Sequence, residues 1–196
     1  MDCFKDEPLE TAIILSLFYG LRRSEVLGLK WDAVDFENNT LSVKHVIVKV
    51  GNEIIPKNMT KNGSTNDVFP LPDIIKSYLL KLRDKQQQMK ELQPNDYNDS
   101  GFVCVLNNGN PLKPDYISQR FRKVLIKNDL PLLRYHDLRH STATFLKCLG
   151  IHIRDMKEWM KHRDIKSTMV YAHSDMIAKI EMATKMNEQY AGFILQ

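Results

Sequence analysis

The sequence is short of several features that would place it quickly. It has three cysteines, Cys3, Cys104 and Cys148, far apart and with no CxxC pair. That spacing argues against a disulfide framework or a structural zinc site and suits a reducing cytoplasm. No run approaches the roughly 18 consecutive apolar residues of a membrane span. The start, MDCFKDEPLE, lacks the basic-then-apolar layout of a signal peptide. There is no phosphate-binding GxxxxGK[ST] loop, no Asp/Glu cluster with metal-ligand spacing, no internal repeat and no low-complexity tract. These absences point to a cytoplasmic protein that works without membrane, metal or cofactor.

What is present is an ordinary globular composition, 43% hydrophobic and 27% charged over 196 residues. The formal net charge of +4 is small, but it is unevenly spread. Residues 1–112 carry 13 Lys and Arg against 15 Asp and Glu, whereas residues 113–173 carry 13 against 6. The second half therefore holds the positive charge that binding a polyanion needs.

Patterning predicts a mainly helical α+β chain. Glu10–Tyr19 (ETAIILSLFY) reads as a buried helix stopped by Gly20, and Ser24 as the cap of a short helix SEVLGL. Leu41–Val50 is β-branched and alternates Leu41, Val43, His45 and Ile47 with Val46, Val48 and Val50, as one strand. Gly51-Asn52 marks a turn into a partner strand over Glu53–Pro56, and Asp67–Leu71 a third, giving a small antiparallel three-stranded sheet. A helix from near Pro72 is expected to fade in the polar run Lys85–Lys90. Phe102–Leu106 reads as a strand or buried extended segment. Helices are expected over Pro114–Lys127, His136–Leu149, Ile153–Met160 and Asp175–Gln189. No strong linker interrupts the chain, so residues 1–196 read as one domain, ending in a helix and tail over 174–196. The abrupt first helix suggests a protein that continues upstream.

Three patterns carry chemistry. In Gly20-Leu21-Arg22-Arg23-Ser24-Glu25, an arginine stands at the mouth of a helix, where it can be offered to an anion with Glu25 close enough to brace it. In Tyr135-His136-Asp137-Leu138-Arg139-His140, His136 and Arg139 are three apart and share one helix face. An imidazole and a fixed cation can then meet the same phosphate. In the segment from Met160 to Tyr171, His162 precedes Tyr171 by nine residues. Each pattern alone has a plainer reading, as a surface Arg–Glu pair, a helix-start histidine or a core tyrosine. Their order and spacing along one chain set them apart.

Together they resemble the tyrosine recombinase family of phage and transposon integrases. GLRRSE is similar to the segment that holds that family's first catalytic arginine, here Arg22. HDLRH is similar to its HxLR segment, giving His136 and Arg139. KHRDIKSTMVYAH is similar to its GHxxxxTTxxYxH segment, giving His162 and Tyr171, with Lys161 in place of the usual glycine. The family's hairpin lysine falls on Lys61, after Thr60 and before Val68-Phe69-Pro70-Leu71, with Lys57 as the alternative; an arginine usual before the last strand is replaced by Asn66-Asp67. The resemblance spans about residues 10 to 173.

The resemblance implies the tyrosine recombinase catalytic-domain fold and metal-independent site-specific recombination of double-stranded DNA by a homotetramer, without cofactor. It implies that the chain is the C-terminal part of a longer integrase whose N-terminal DNA-binding domain is absent. Tyr171 would attack phosphorus to give a 3′-phosphotyrosine, with Arg22 and Arg139 clamping the phosphate oxygens through planar, permanently charged forks. His136 would help take the tyrosine proton, Lys61 would protonate the departing 5′-oxygen and His162 would hydrogen-bond the phosphate. A type IB topoisomerase or a telomere resolvase would share this constellation, and a DNA-binding protein without catalysis would share the basic second half.

Overall fold

The computed structural model describes residues 2–50, 53–58 and 67–161. They form two units, with the boundary between Phe145 and Leu146.

The first unit is built on helix α1, Glu10–Tyr19, which buries Thr11, Ala12, Ile13, Leu15, Ser16 and Tyr19. A helix apolar on nearly every side belongs inside, and burying each large side chain contributes on the order of 2 kcal/mol. It ends where Gly20 turns left-handed (φ 66°) and returns its N–H to the Ser16 carbonyl. That turn re-aims the chain, so Arg22 leaves it extended (φ −70°, ψ 152°). Helix α2, Arg23–Leu27, then starts two residues earlier than a cap at Ser24 implies. Arg22, not Ser24, holds the capping position, and the Glu25 carboxylate accepts the Arg22 backbone N–H at 2.7 Å. A buried carboxylate three residues into a helix satisfies an end donor better than a serine already inside the first turn.

The expected single strand over Leu41–Val50 is two. Strand β1, Val34–Asp35, pairs with β2, Thr40–Val43, and β2 pairs with β5, Asp67–Pro70; all are antiparallel in the order β1-β2-β5. Strands β3, His45–Val50, and β4, Glu53–Asn58, form a separate antiparallel ribbon. The change of partner falls at Lys44, whose ammonium reaches back to the Asp32 carbonyl at 3.2 Å. The inward alternation survives it, with Leu41, Val43 and Ile47 all buried. Gly28, at the end of α2, lets the ribbon pass. A Cβ there would lie 2.4 Å from the His45 carbonyl oxygen and 2.8 Å from Val46 Cα, distances no side chain tolerates against backbone.

Helix α3, Asp73–Leu92, does not fade at the polar run but continues through it. Lys, Gln and Met are strong helix formers, and Gln86 has a structural task inside the run. It accepts from Trp31 Nε1 and donates to the Val103 carbonyl, both at 2.9 Å. Phe102, Val103 and Cys104 are buried in a bent segment, held by single bridges (Lys30 to Phe102, Val105 to Pro111), and not in the expected strand. Helix α4, Pro114–Lys127, begins with proline in its first turn and buries Ile117, Phe121, Val124 and Leu125. Helix α5, Asp137–Cys148, follows one residue after His136.

In the second unit the chain turns at Gly150 and forms helix α6, Ile153–Trp159. His152 caps it, its Nδ1 accepting the Arg154 N–H at 3.3 Å. The expected helix over Asp175–Gln189 lies outside the described residues. No described helix is long and apolar enough to cross a membrane.

Candidate active site

Two of the three motifs come together because α5 docks on the last turns of α1. The Tyr135 hydroxyl donates to the Ala12 carbonyl and receives the Ser16 hydroxyl, both at 2.8 Å. One turn on, the Arg139 guanidinium donates to the Gly20 carbonyl. One turn further, the Thr142 hydroxyl lies 2.9 Å from the Leu17 carbonyl. Positions 139 and 142 are helically spaced, so one face of α5 reads the carbonyl end of α1, while Tyr135, two residues before α5, bonds further back along it. Carbonyls at a helix C-terminus carry partial negative charge and lack intrahelical partners, which makes them suitable acceptors for a buried cation. Burial leaves the Tyr135 phenol well above its ordinary pKa, so it stays protonated and serves as a strut.

Arg139 is only 5% exposed, whereas the Arg22 side chain is 43% exposed. The two stand on either side of the same left-handed turn: Arg139 holds Gly20, and Arg22 follows two residues later. Glu25 receives both the Arg22 backbone N–H and its guanidinium at 2.7 Å. The brace fixes the base of the arginine and leaves the rest of its fork open.

Arg22 and His136 line one cleft of about 790 Å³, together with Arg23, Arg122 and Arg134. Ser24, Ser118, Leu132, Leu133 and Tyr135 complete its wall, and no described carboxylate lines it. Arg122 and Arg134 escape motif reading, their only signal in sequence being the basic bias of residues 113–173, whereas Arg23 lies inside the GLRRSE segment without being singled out by it. Arg23 ties α2 to α4 by donating to the Ser118 hydroxyl and, at 3.3 Å, to the Pro114 carbonyl. Arg134 is paired with Asp137 at 2.8 Å.

The His136 imidazole lies edge to face with His140, ring centroids 5.4 Å apart. Its pKa is lowered from the ordinary 6.5, first by partial desolvation, then by the neighbouring His140 and Arg139, with Asp137 opposing weakly. His136 is therefore neutral at pH 7 and can accept a proton.

Lys57, the alternative hairpin lysine, is exposed on β4 and pairs with Val46 of β3. Lys61, His162 and Tyr171 lie outside the described residues. Among the described residues no group of His, Cys, Asp and Glu is arranged to hold a metal ion.

Comparison with known proteins settles the kinship. The profile of the phage integrase family matches residues 2–177. The chain belongs to the phage integrase family. A tyrosine recombinase XerC-like protein of Caldanaerobacter subterraneus subsp. tengcongensis is 29% identical, over 96% of this chain and 51% of that protein. The Tn1549 transposon integrase, solved in complex with transposon right end DNA, superposes with a TM-score of 0.77 at 22% identity, over 97% of this chain and 62% of that one. XerA recombinase superposes with a TM-score of 0.66 at 21% identity, over 94% of this chain and 60% of that one. The fold is thus the mainly helical tyrosine recombinase catalytic-domain fold with its small antiparallel three-stranded sheet. The chain spans about half the length of the curated relatives it matches.

One departure from the integrase pattern has a structural meaning. Lys161 stands where the family usually has glycine, and its φ is +50°. A left-handed backbone costs a residue with a Cβ on the order of 1 kcal/mol, which is why glycine suits the position. Lys161→Gly is expected to raise stability by up to about 1 kcal/mol, measured as a higher midpoint in chemical denaturation. An unchanged or lower midpoint would show that contacts of the lysine side chain offset the strain.

Proposed function

We propose that this integrase-family chain cleaves and rejoins double-stranded DNA at specific sites through a 3′-phosphotyrosine on Tyr171, as the catalytic part of a recombinase that assembles as a tetramer on its sites. The observation that carries the reading is the cleft that Arg22 and His136 share, rich in guanidinium groups and free of described carboxylates. It fits a phosphodiester passing through a pentacoordinate state, where charge grows on the non-bridging oxygens.

In the proposed step the Tyr171 oxygen attacks phosphorus, and the bond from phosphorus to the 5′-oxygen breaks. Arg22 and Arg139 hold the non-bridging oxygens, and His162 hydrogen-bonds one of them. His136 accepts the phenolic proton, and Lys61 gives a proton to the departing 5′-oxygen. A 5′-hydroxyl then attacks the phosphotyrosine and the sequence reverses. The phosphodiester energy is kept in the covalent link, so rejoining needs no nucleotide cofactor. The test is a nicked duplex from which the 5′-hydroxyl fragment diffuses away after cleavage. A covalent protein–DNA adduct mapping to Tyr171 supports the reading, and an adduct mapping elsewhere overturns it.

The histidine predicts a pH dependence. The base form of His136 exists above its pKa, and that pKa lies below 6.5. The single-turnover cleavage rate should hold as pH falls to 6.5 and decline only below it, tenfold per unit once the imidazolium dominates. His136→Gln should be slower throughout and lack this acid limb. An acid limb that persists unchanged in the Gln variant would assign it to another group.

A further inference from the structure

The cleft holds more positive charge, and more space, than one phosphate uses. The reading above assigns Arg22 and Arg139 to the phosphate under attack. Arg122 and Arg134 remain on the α4 and α5 sides of the same cleft, with the exposed Leu132 and Leu133 beside them. Arg122 is solvent-exposed and makes no described ion pair. Arg134 is held in place by Asp137, which receives its backbone N–H at 2.8 Å and its guanidinium on both carboxylate oxygens. A pre-positioned guanidinium next to an open one is suited to a second anion in the same groove. The two leucines, 59% and 47% exposed, line the same cleft and offer it an apolar surface, and in a nucleic-acid strand the apolar surface between phosphates is the deoxyribose.

We propose that Arg122 and Arg134 form a second phosphate subsite, holding the DNA phosphodiester next to the one that is cut, with Leu132 and Leu133 packed on the sugar between them. The proposal rests on the DNA reading above, but not on Tyr171 being the nucleophile. The subsite fixes the strand's register along the cleft and so positions the scissile phosphate; it adds no group to the chemistry.

The test is the salt dependence of binding to a short duplex of random sequence. It compares the unaltered chain with Arg122→Ala, Arg122→Lys, Lys127→Ala and the double variant Leu132→Ala with Leu133→Ala. Each phosphate neutralised contributes about 0.9 to the slope of log affinity against log salt. Arg122→Ala should lower the slope by about one such unit, and Arg122→Lys should restore it. Lys127→Ala, an exposed cation at the far end of α4 and outside the cleft, should leave the slope unchanged. The leucine variant should bind severalfold more weakly at every salt concentration with the slope unaltered. An unchanged slope for Arg122→Ala, or equal losses for Arg122→Ala and Lys127→Ala, would overturn the subsite in favour of a diffuse basic face. Covalent trapping reads Tyr171 independently of all these slopes, so the two readings fail separately.

Discussion

Tyr171→Phe is expected to bind DNA with nearly unaltered affinity and to form no covalent adduct. Removing one oxygen deletes the nucleophile but leaves every cation of the cleft in place, and the cations dominate affinity for a polyanion. An essential nucleophile has no substitute within its own site, so cleavage should fall on the order of a thousandfold or more. The measurement is adduct yield on a nicked duplex, with gel-shift affinity measured alongside. An adduct formed by the Phe variant would remove Tyr171 from the mechanism. The described tyrosines offer no ready replacement near the cleft. The Tyr135 hydroxyl is bonded to Ala12 and Ser16, and that of Tyr19 donates to the Pro70 carbonyl at 3.0 Å. Both phenols are held protonated by burial.

Arg139→Ala should damage both catalysis and stability, and the two effects can be separated. Catalytically, losing one charge-assisted donor to a developing oxyanion costs about 100-fold or more in rate. Structurally, the Gly20 carbonyl loses a buried guanidinium donor, and an unsatisfied buried carbonyl costs about 1–3 kcal/mol. The left-handed turn at Gly20 would be less well held, and Arg22, two residues on, would lose part of its positioning. Arg22→Ala makes a useful contrast. Its side chain is far less buried than that of Arg139, and Glu25 keeps the backbone N–H at position 22, so its rate loss should come with a smaller change in unfolding midpoint. Single-turnover rates at saturating DNA, paired with thermal unfolding of both variants, read the difference. A near-normal rate for Arg139→Ala in a folded protein would withdraw Arg139 from the phosphate clamp.

These expectations draw unequally on sequence and structure. The family, the candidate residues and most helix bounds were legible in the chain. Glu10–Tyr19 and Pro114–Lys127 begin and end where their apolar spacing and flanking residues say they should. The motifs were legible because each packs its chemistry into a few neighbouring positions. The break at Lys44 was not, since alternation runs on through it and only the change of partner from β5 to β4 marks it. Nor was the reach of α3 through Lys85–Lys90, which depends on Gln86 meeting Trp31 and Val103 from far along the chain. The extra arginines of the cleft were hidden for the same reason. Arg122 has no motif of its own, and its place beside Arg22 arises only when α4 packs against α2.

By itself the sequence determined which residue types were available, how they are spaced within single helices, and to which family they belong. Only the tertiary structure decided that Arg139 is a buried cation anchored on the end of α1, that Arg22 is braced and open, and that His136 is held neutral. The division follows from the range of the forces. Helical periodicity and end-capping act over three or four residues and can be read along the chain. Desolvation, the carbonyl end of a helix and the pooling of guanidinium charge in one cleft act through space, between segments more than a hundred positions apart.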